Sequence, residues 1–306
     1  MTISTNYHFN QAVRQMNELQ TAISKVQTQI ATGQQLTKPS DDPVKVTAIG
    51  RINSALARQS SYSATLATVG DRLTSTETSV KSASDIMTRV KELGIQAANG
   101  TLGSGDRANI ADELATLRDS LMSLANTPDV NGAYLFSGSK VNQPPFGKSS
   151  DGTVEYIGDL TRTKVKLGDQ QEMVSNLPGT DVFSGVTREN RDTNQKVGFF
   201  HVLDDLITSV KTSSQTGIQQ GLGEVDQINN GLTHALSRIG ADLNTVDAQK
   251  GLIEDTTLRL KTTLSSLADS DYAQTITNLQ KESLGLQAVQ SSFAKTADLN
   301  LFNYLK

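Results

Sequence analysis

The sequence predicts a mainly α-helical protein, a long helical rod or coiled-coil bundle built from the N- and C-terminal segments, with a small β-rich inserted domain. Three observations support this fold class. Apolar residues recur at helical spacing near both ends of the chain, the apolar content is only 36%, and a central stretch is rich in Gly and Pro. Long narrow bundles need fewer apolar residues than a thick α/β core, because each helix buries only a stripe.

A first seam of apolar residues lies in a predicted helix over about residues 5–32, which Gly33 ends. Its members are separated by alternating steps of three and four residues, which places them along one line of a helix. They are Phe9, Ala12, Met16, Leu19, Ile23, Val26 and Ile30. A line this narrow is typical of a coiled-coil interface rather than of a globular face.

A second seam of the same kind lies near the C-terminus. Its members are Ile276, Leu279, Leu286, Phe293, Leu301 and Tyr304. Neither helix can bury its own seam, so we expect the first and last helices to pack on each other or on neighbouring copies. The residues of both seams are therefore the candidate subunit interface, and they indicate an assembly protein.

Two further helices are predicted in the first half of the chain. Asp42 followed by Pro43 is an N-cap and first-turn pair, and a helix is expected from Pro43 to about Ala98. Asn99-Gly100 then breaks the pattern. A third helix is predicted over about residues 106–126.

From Thr127 to about Asp192 the apolar period changes and short alternating segments appear. Residues 153–157 and 163–167 read as strands, and the turns around them predict hairpins. Helix is expected again at about 195–213.

The remainder of the chain is predicted to be helical after a break. Glycines at 217–223 indicate an interruption between helices, followed by one very long helix from about 224 to 300. In the shape that these elements predict, both termini share one end of the rod and the β insertion caps the other.

The predicted division into domains follows from these elements. Residues 1–42 and 270–306 form a terminal-helix assembly domain, residues 43–138 and 194–269 form a helical rod domain, and residues 139–193 form the β-rich outer insertion.

Composition excludes several classes of function. The chain has no cysteine, so it has no disulfides, thiolate metal sites or cysteine nucleophiles. Its formal net charge is −4 and its basic residues are scattered, so we expect neither a nucleic-acid partner nor membrane insertion. The first 30 residues contain no continuous apolar segment of the kind found in a cleaved signal peptide.

No catalytic, cofactor-binding or metal site is predicted. The histidines at positions 8, 201 and 234 lack metal-ligand spacing. Acidic pairs such as Asp41-Asp42 and Asp204-Asp205 are explained as caps and solvated helix faces, since no partner acid or base accompanies them. We therefore predict that the protein is not an enzyme and needs no cofactor.

Several segments resemble the flagellin superfamily, over about the first 140 and the last 110 residues. They are residues 30–36 and 39–43 after the first helix, residues 89–99 (RVKELGIQAAN), residues 237–241 and 267–273, and the ending at 299–305. Residues 132–140 (GAYLFSGSK), residues 143–146 (QPPF) and the final LFNYL resemble the junction proteins of this superfamily more than its filament subunits.

The resemblance implies a structural adaptor at the bacterial flagellar hook-filament junction. Such a protein is extracellular, is exported through the flagellar type III apparatus without a cleaved signal peptide, and assembles as a ring of copies. The implied partners are a hook-associated protein on the hook side, flagellin on the filament side, and a cytosolic export chaperone on the C-terminal helix. The resemblance also implies that residues 1 to about 40 and 270–306 are disordered in the monomer and ordered in the assembly.

The resemblance further suggests a second contact surface. In flagellins the segment matching residues 89–99 lies at a contact between protofilaments, and the matching positions here are Arg89, Leu93 and Glu113. The competing interpretation is a surface helix of the shared scaffold.

Three alternatives remain open from the sequence. The chain could itself be a flagellin, it could be a secreted coiled-coil translocator or adhesin, or it could carry an enzyme within its β insertion. The last is disfavoured because residues 139–193 contain no histidine.

Overall fold

The computed structural model describes residues 2–149, 152–168, 171–189 and 194–302. The chain is mainly α-helical with short antiparallel strands, so the predicted fold class is confirmed. The helices are α1 (Thr2–Thr32), α2 (Pro43–Ala97), α3 (Ser104–Ala125), α4 (Gly179–Val182), α5 (Phe199–Lys211), α6 (Gln215–Ala268) and α7 (Tyr272–Phe302). Within the described part of the chain, no helix is both long and apolar enough to cross a membrane.

In the described residues, six strands form three separate two-stranded antiparallel sheets. They are β1 (Phe146–Lys148) with β2 (Val154–Tyr156), β3 (Lys164–Lys166) with β4 (Glu172–Val174), and β5 (Val186–Glu189) with β6 (Asn194–Val197). The two strands predicted from alternation, β2 and β3, are present. Their partners β1 and β4, which have the same length of three residues, were not predicted.

The chain forms two compact units. Unit 1 consists of Met1–Gln59 and Asp255–Lys306, and unit 2 consists of Ser60–Glu254. The three-part division predicted from the sequence stays a prediction.

Unit 2 has a continuous apolar core. On α2, Leu66, Leu73, Val80 and Met87 repeat every seven residues and are all buried, as their spacing predicts. α3 contributes Ile110, Leu114 and Leu121, and α5 contributes Phe199, Phe200, Val202, Leu203, Leu206, Ile207 and Val210. These residues of α5 lie on one broad face of the helix, which packs against the core, and its opposite face is polar.

A cluster of aromatic rings joins the β1–β2 sheet to α5. Phe146 of β1 lies edge to face against Phe183 and Phe200, with ring centroids 5.6 and 5.3 Å apart. Phe199 lies 5.3 Å from Phe183 in the same geometry. Aromatic pairs of this kind contribute about 0.5–1.5 kcal/mol each beyond their buried area. The hairpin β1–β2 is therefore fixed to the helical core by ring packing.

Two predicted boundaries around α5 are wrong. Residues 194–197 form strand β6 instead of the start of a helix, and the predicted break at 217–223 lies inside α6. The glycines there allow close packing: a Cβ on Gly221 would lie 2.9 Å from Leu206 of α5, and one on Gly217 would clash with Ser209. Packing against α5 thus explains glycines that break helices in other contexts.

One buried ion pair connects β5 to α6. Arg188 donates two hydrogen bonds to Glu224, of 2.6 and 2.7 Å, and a third of 2.7 Å to Asp205 of α5. Glu224 is only 5% exposed. Burial raises the pKa of Glu224, but hydrogen bonds from Arg188 and Gln220 lower it by more, so its pKa lies below the ordinary value of 4.5. The charged form of Glu224 therefore depends on Arg188.

We predict that Arg188→Met destabilises unit 2 by about 3 kcal/mol at neutral pH, because it leaves a buried carboxylate without its partner. The pKa of Glu224 is lower in the folded chain than in the unfolded chain. The ion pair therefore stabilises the fold above about pH 4.5, and this stabilisation is lost as the pH falls through the folded-state pKa. Urea unfolding should therefore show a difference between variant and parent that is large at pH 7 and shrinks below about pH 4.

The matched control is Lys91→Met, which removes an exposed ion pair between Lys91 and Asp226. An exposed pair contributes at most about 1 kcal/mol, so this variant should unfold near the parent midpoint at both pH values. Equal effects of the two substitutions at pH 7 would contradict the role given to Arg188.

Candidate assembly surfaces

Helices α1 and α7 of unit 1 pack along each other in antiparallel orientation. Near one end the rings of Phe9 and Phe293 lie 5.1 Å apart. Further along, a Cβ on Gly285 would lie 3.5 Å from Leu19, and at the other end the main chains around Gly33 and Ser270 are hydrogen-bonded. The two predicted seams thus lie on helices that pack against each other, and Phe9 and Phe293 meet between them.

The seams are only partly covered in this pair. Most of the predicted interface residues are half-buried: Ala12, Met16, Leu19, Ile23, Val26, Ile30, Leu279, Leu286 and Phe293. Phe9 and Ile276 are exposed. The side chain of Leu301 and all of Tyr304 lie outside the described residues, so their predicted roles stay predictions.

Unit 1 lacks a buried apolar core in its described part. Among its residues with described side chains only Thr275 is buried, and its hydroxyl hydrogen-bonds within the turn before α7. Tyr7 and Leu284 are exposed on the outer sides of the same helices. Two helices alone cannot enclose an apolar stripe, so the apolar side chains of this pair are available to further helices.

The predicted single helix from 224 to 300 is interrupted. Residues 269–271 separate α6 from α7, and this break lies beside the non-helical segment that follows Gly33. The Gln35 N–H donates to the Ala268 carbonyl at 2.7 Å, and the Ser270 N–H donates to the Gly33 carbonyl at 2.8 Å. Asp271 then caps α7 by accepting from the Ala273 N–H at 2.9 Å. Backbone N–H and carbonyl groups at the two breaks therefore hydrogen-bond to each other.

Aspartates fix the turn between α1 and α2. Asp41 pairs with Lys25 at 3.2 Å and accepts hydrogen bonds from the N–H groups of Thr37 and Lys38. The Lys25 ammonium and these donors lower the pKa of Asp41. Asp42 accepts from the Lys45 N–H at 3.0 Å, which confirms its predicted role as the N-cap of α2.

A recess opens on unit 1 at this double break. Its volume is about 200 Å³, and its lining is mainly apolar. The apolar lining residues are Leu36, Pro39, Val46, Ile49 and Ala268, with Gln34, Thr37 and Lys38 completing it. This recess could not be predicted from the sequence, because the residues that line it come from three separate segments.

The second predicted contact surface is only partly on the outside of unit 2. Arg89 and Glu113 are exposed and form an ion pair of 2.9 Å, and Arg89 also pairs with Glu92 at 3.1 Å. The pKa of Arg89 is raised by Glu113 and Glu92. Leu93, in contrast, is buried in the core. Arg89 and Glu113 are thus accessible to a neighbour and Leu93 is not, and a protofilament-type contact stays a prediction.

Comparison with known proteins identifies the helical regions at both ends of the chain. The family described as the bacterial flagellin N-terminal helical region matches residues 3–141, and the bacterial flagellin C-terminal helical region matches residues 222–305. Together these ranges cover more than two-thirds of the chain. The chain belongs to the bacterial flagellin family.

Relatives within the family refine this placement. Flagellar hook-associated protein 3 of Escherichia coli K12 is 28% identical, with both chains covered over 100% of their length. Flagellin B of Vibrio anguillarum is 23% identical over 96% of each chain. A solved structure of a putative flagellar hook-associated protein from Vibrio parahaemolyticus has a TM-score of 0.67 at 24% identity, covering 75% of this chain and 100% of that one. That structure shows the same fold.

Proposed function

We propose that this chain is a structural adaptor at the junction between the bacterial flagellar hook and filament. The observation that carries the proposal is the end-to-end similarity to flagellar hook-associated protein 3 of Escherichia coli. The half-covered helix pair of unit 1 supports it, because such a pair is suited to assembly with other subunits. The protein acts by binding and mechanical coupling, not by catalysis.

In this proposal the α1–α7 pair is the principal subunit interface. Neighbouring copies place their own terminal helices against the half-buried stripes and complete a core that one chain cannot form. The burial gained is about 25 cal/mol per Å² of apolar surface, less the cost of association. Copies assemble as a ring, with a hook-associated protein on one side and flagellin on the other.

The same surface explains why export needs assistance. Before assembly the apolar stripe of α7 is exposed to other chains, and a cytosolic chaperone that covers the C-terminal helix would prevent aggregation. The chain then passes unfolded through the flagellar type III apparatus and folds outside the cell. The absence of cysteine fits this route, since no disulfide has to form or break.

The proposed function predicts a specific defect when the gene is deleted. Electron microscopy should show bare hooks, and flagellin should appear as monomer in the culture medium, because filament subunits are still exported but find no adaptor. Plasmid-borne parent protein should restore attached filaments.

The same experiment separates the alternatives. Hooks without filaments and without flagellin in the medium would identify this chain as the filament subunit. The similarity to Flagellin B is the reason to test this alternative. Normal attached filaments would refute both flagellar roles and favour a secreted translocator or adhesin.

We predict that Leu286→Asp abolishes assembly and leaves unit 2 folded. Leu286 is half-buried in the α1–α7 pair, and a carboxylate there cannot be covered by a neighbouring helix without a large desolvation cost. Complementation of the deletion strain should give bare hooks, while thermal melting of the purified variant retains the cooperative transition of unit 2.

The matched control is Gln287→Asp, which places the same charge one residue away at an exposed position. It should complement normally. If Leu286→Asp also removed the cooperative melting of unit 2, the assignment of assembly to unit 1 would be wrong.

A further inference from the structure

Three asparagine–glycine pairs occur in the sequence, at residues 99–100, 131–132 and 230–231. Such a pair can react within the chain, because glycine has no Cβ to hinder the approach of its nitrogen to the asparagine side chain. The glycine nitrogen attacks the side-chain carbon Cγ, and the side-chain nitrogen leaves as ammonia. The local structure of each pair decides whether this reaction is favoured.

Two of the three pairs are protected by their hydrogen bonds. The Gly132 N–H donates to the Asp129 carbonyl at 2.9 Å, so the nitrogen that follows Asn131 is already engaged. Asn230 and Gly231 lie inside α6. In a helix each N–H is bonded to the carbonyl four residues earlier, and side chains lean away from the nitrogen that follows them.

The third pair, Asn99 and Gly100, has a free nitrogen. Both residues are exposed in the turn between α2 and α3, and the Gly100 N–H has no hydrogen-bond partner among the described residues. The carbonyl of the same peptide unit, that of Asn99, accepts from the Leu102 N–H at 3.3 Å and from Arg107 Nη2 at 3.2 Å. Bonds to an amide oxygen draw electrons from the amide nitrogen, so they make the Gly100 N–H easier to deprotonate.

The side chain of Asn99 is held for attack as well. Its Oδ1 accepts from the Thr101 N–H at 3.1 Å and from the Thr101 hydroxyl at 2.9 Å. These bonds fold the side chain towards the main chain that follows, of which the Gly100 nitrogen is the first atom. Attack on Cγ turns Oδ1 into an oxyanion, and two donors that already point at this oxygen stabilise it.

We propose that Asn99 is a site of spontaneous deamidation that the surrounding groups accelerate. A bond forms between the Gly100 nitrogen and Cγ of Asn99, the Cγ–Nδ2 bond breaks, and the Gly100 proton leaves with Nδ2 as ammonia. Water then adds to either carbonyl of the resulting succinimide and opens the ring, which gives aspartate or isoaspartate at position 99. The inference does not depend on the proposed junction function.

The product changes the end of α2. It adds one negative charge at the C-terminal end of this helix, where the helix dipole already places partial negative charge. Isoaspartate also lengthens the main chain by one methylene group after position 99. The preceding carbonyl, that of Ala98, accepts from Gln215 Nε2 of α6 at 2.9 Å. Reaction at Asn99 therefore weakens the contact between the end of α2 and the start of α6.

Peptide mass spectrometry of the full-length chain tests the proposal. The purified chain is incubated at neutral pH, folded or in concentrated urea, and the conversion of Asn99 is compared with that of Asn131. Asn131 is the matched control within the same chain, since it is also exposed and also precedes glycine.

In the folded chain Asn99 should convert at least about tenfold faster than Asn131, because its oxyanion is stabilised and its attacking nitrogen is free. Urea should remove most of this difference, since both pairs then lie in unfolded chain. Equal rates at the two sites in the folded chain would overturn the proposal. So would an Asn99 that stays intact in the folded chain for as long as the unfolded chain needs to convert.

Two variants test the role given to Thr101. Thr101→Val removes the hydroxyl donor with little change of shape and should slow the conversion of Asn99 several-fold, whereas Thr101→Ser keeps the hydroxyl and should react at the parent rate. The rate at Asn131 serves as the reference in both variants, and both should unfold at the parent urea midpoint. Equal conversion of Asn99 in the two variants would overturn the claim that the surrounding groups accelerate the reaction.

Discussion

Two helices packed side by side cannot cover all of their own apolar surface, and this constraint governs the terminal helices. Two helices that lie side by side cover one stripe on each other and leave the flanks of that stripe in water. In unit 1 this limit is reached: α1 and α7 face each other through Phe9 and Phe293 at one end, yet their apolar residues stay half-buried or exposed. In the proposed assembly, helices from other copies complete this core. The proposal therefore makes assembly the condition for stability of this segment.

Unit 2 shows the opposite arrangement. Its helices carry enough apolar surface to enclose a core, and the packed rings of Phe146, Phe183 and Phe200 connect the β1–β2 sheet to it. The ion pair of Arg188 and Glu224 connects β5 to α6, and removing either partner is expected to destabilise unit 2. A chain built in this way can have unit 2 folded before unit 1 meets its neighbours, as the proposed assembly requires.

Local signals predicted much of this fold. Gly33, the pair Asp42-Pro43 and the seven-residue repeat from Leu66 gave helix ends and a buried face, because each reflects backbone or side-chain chemistry within a few residues. The break at 269–271 was missed because its Asp and Ser residues also occur within helices, and only bonds to the segment after Gly33 distinguish it.

Features that depend on distant packing could not be predicted in the same way. The glycines of α6 indicated a break, but they lie within the helix, where Gly221 packs closely against Leu206 and Gly217 against Ser209. Candidate interface residues at the two seams followed from periodicity. The recess near Leu36 did not, since it leaves no repeating pattern in the sequence.

Native-state hydrogen exchange on the isolated chain tests the central claim most directly, because it reports the stability of each helix separately. If the terminal helices lack a core of their own, amides of α1 and α7 should exchange at least about 100-fold faster than those of α3 and α5, which lie in the core of unit 2. Comparable protection of all four helices would mean that the α1–α7 pair is stable without neighbours, and it would contradict the account.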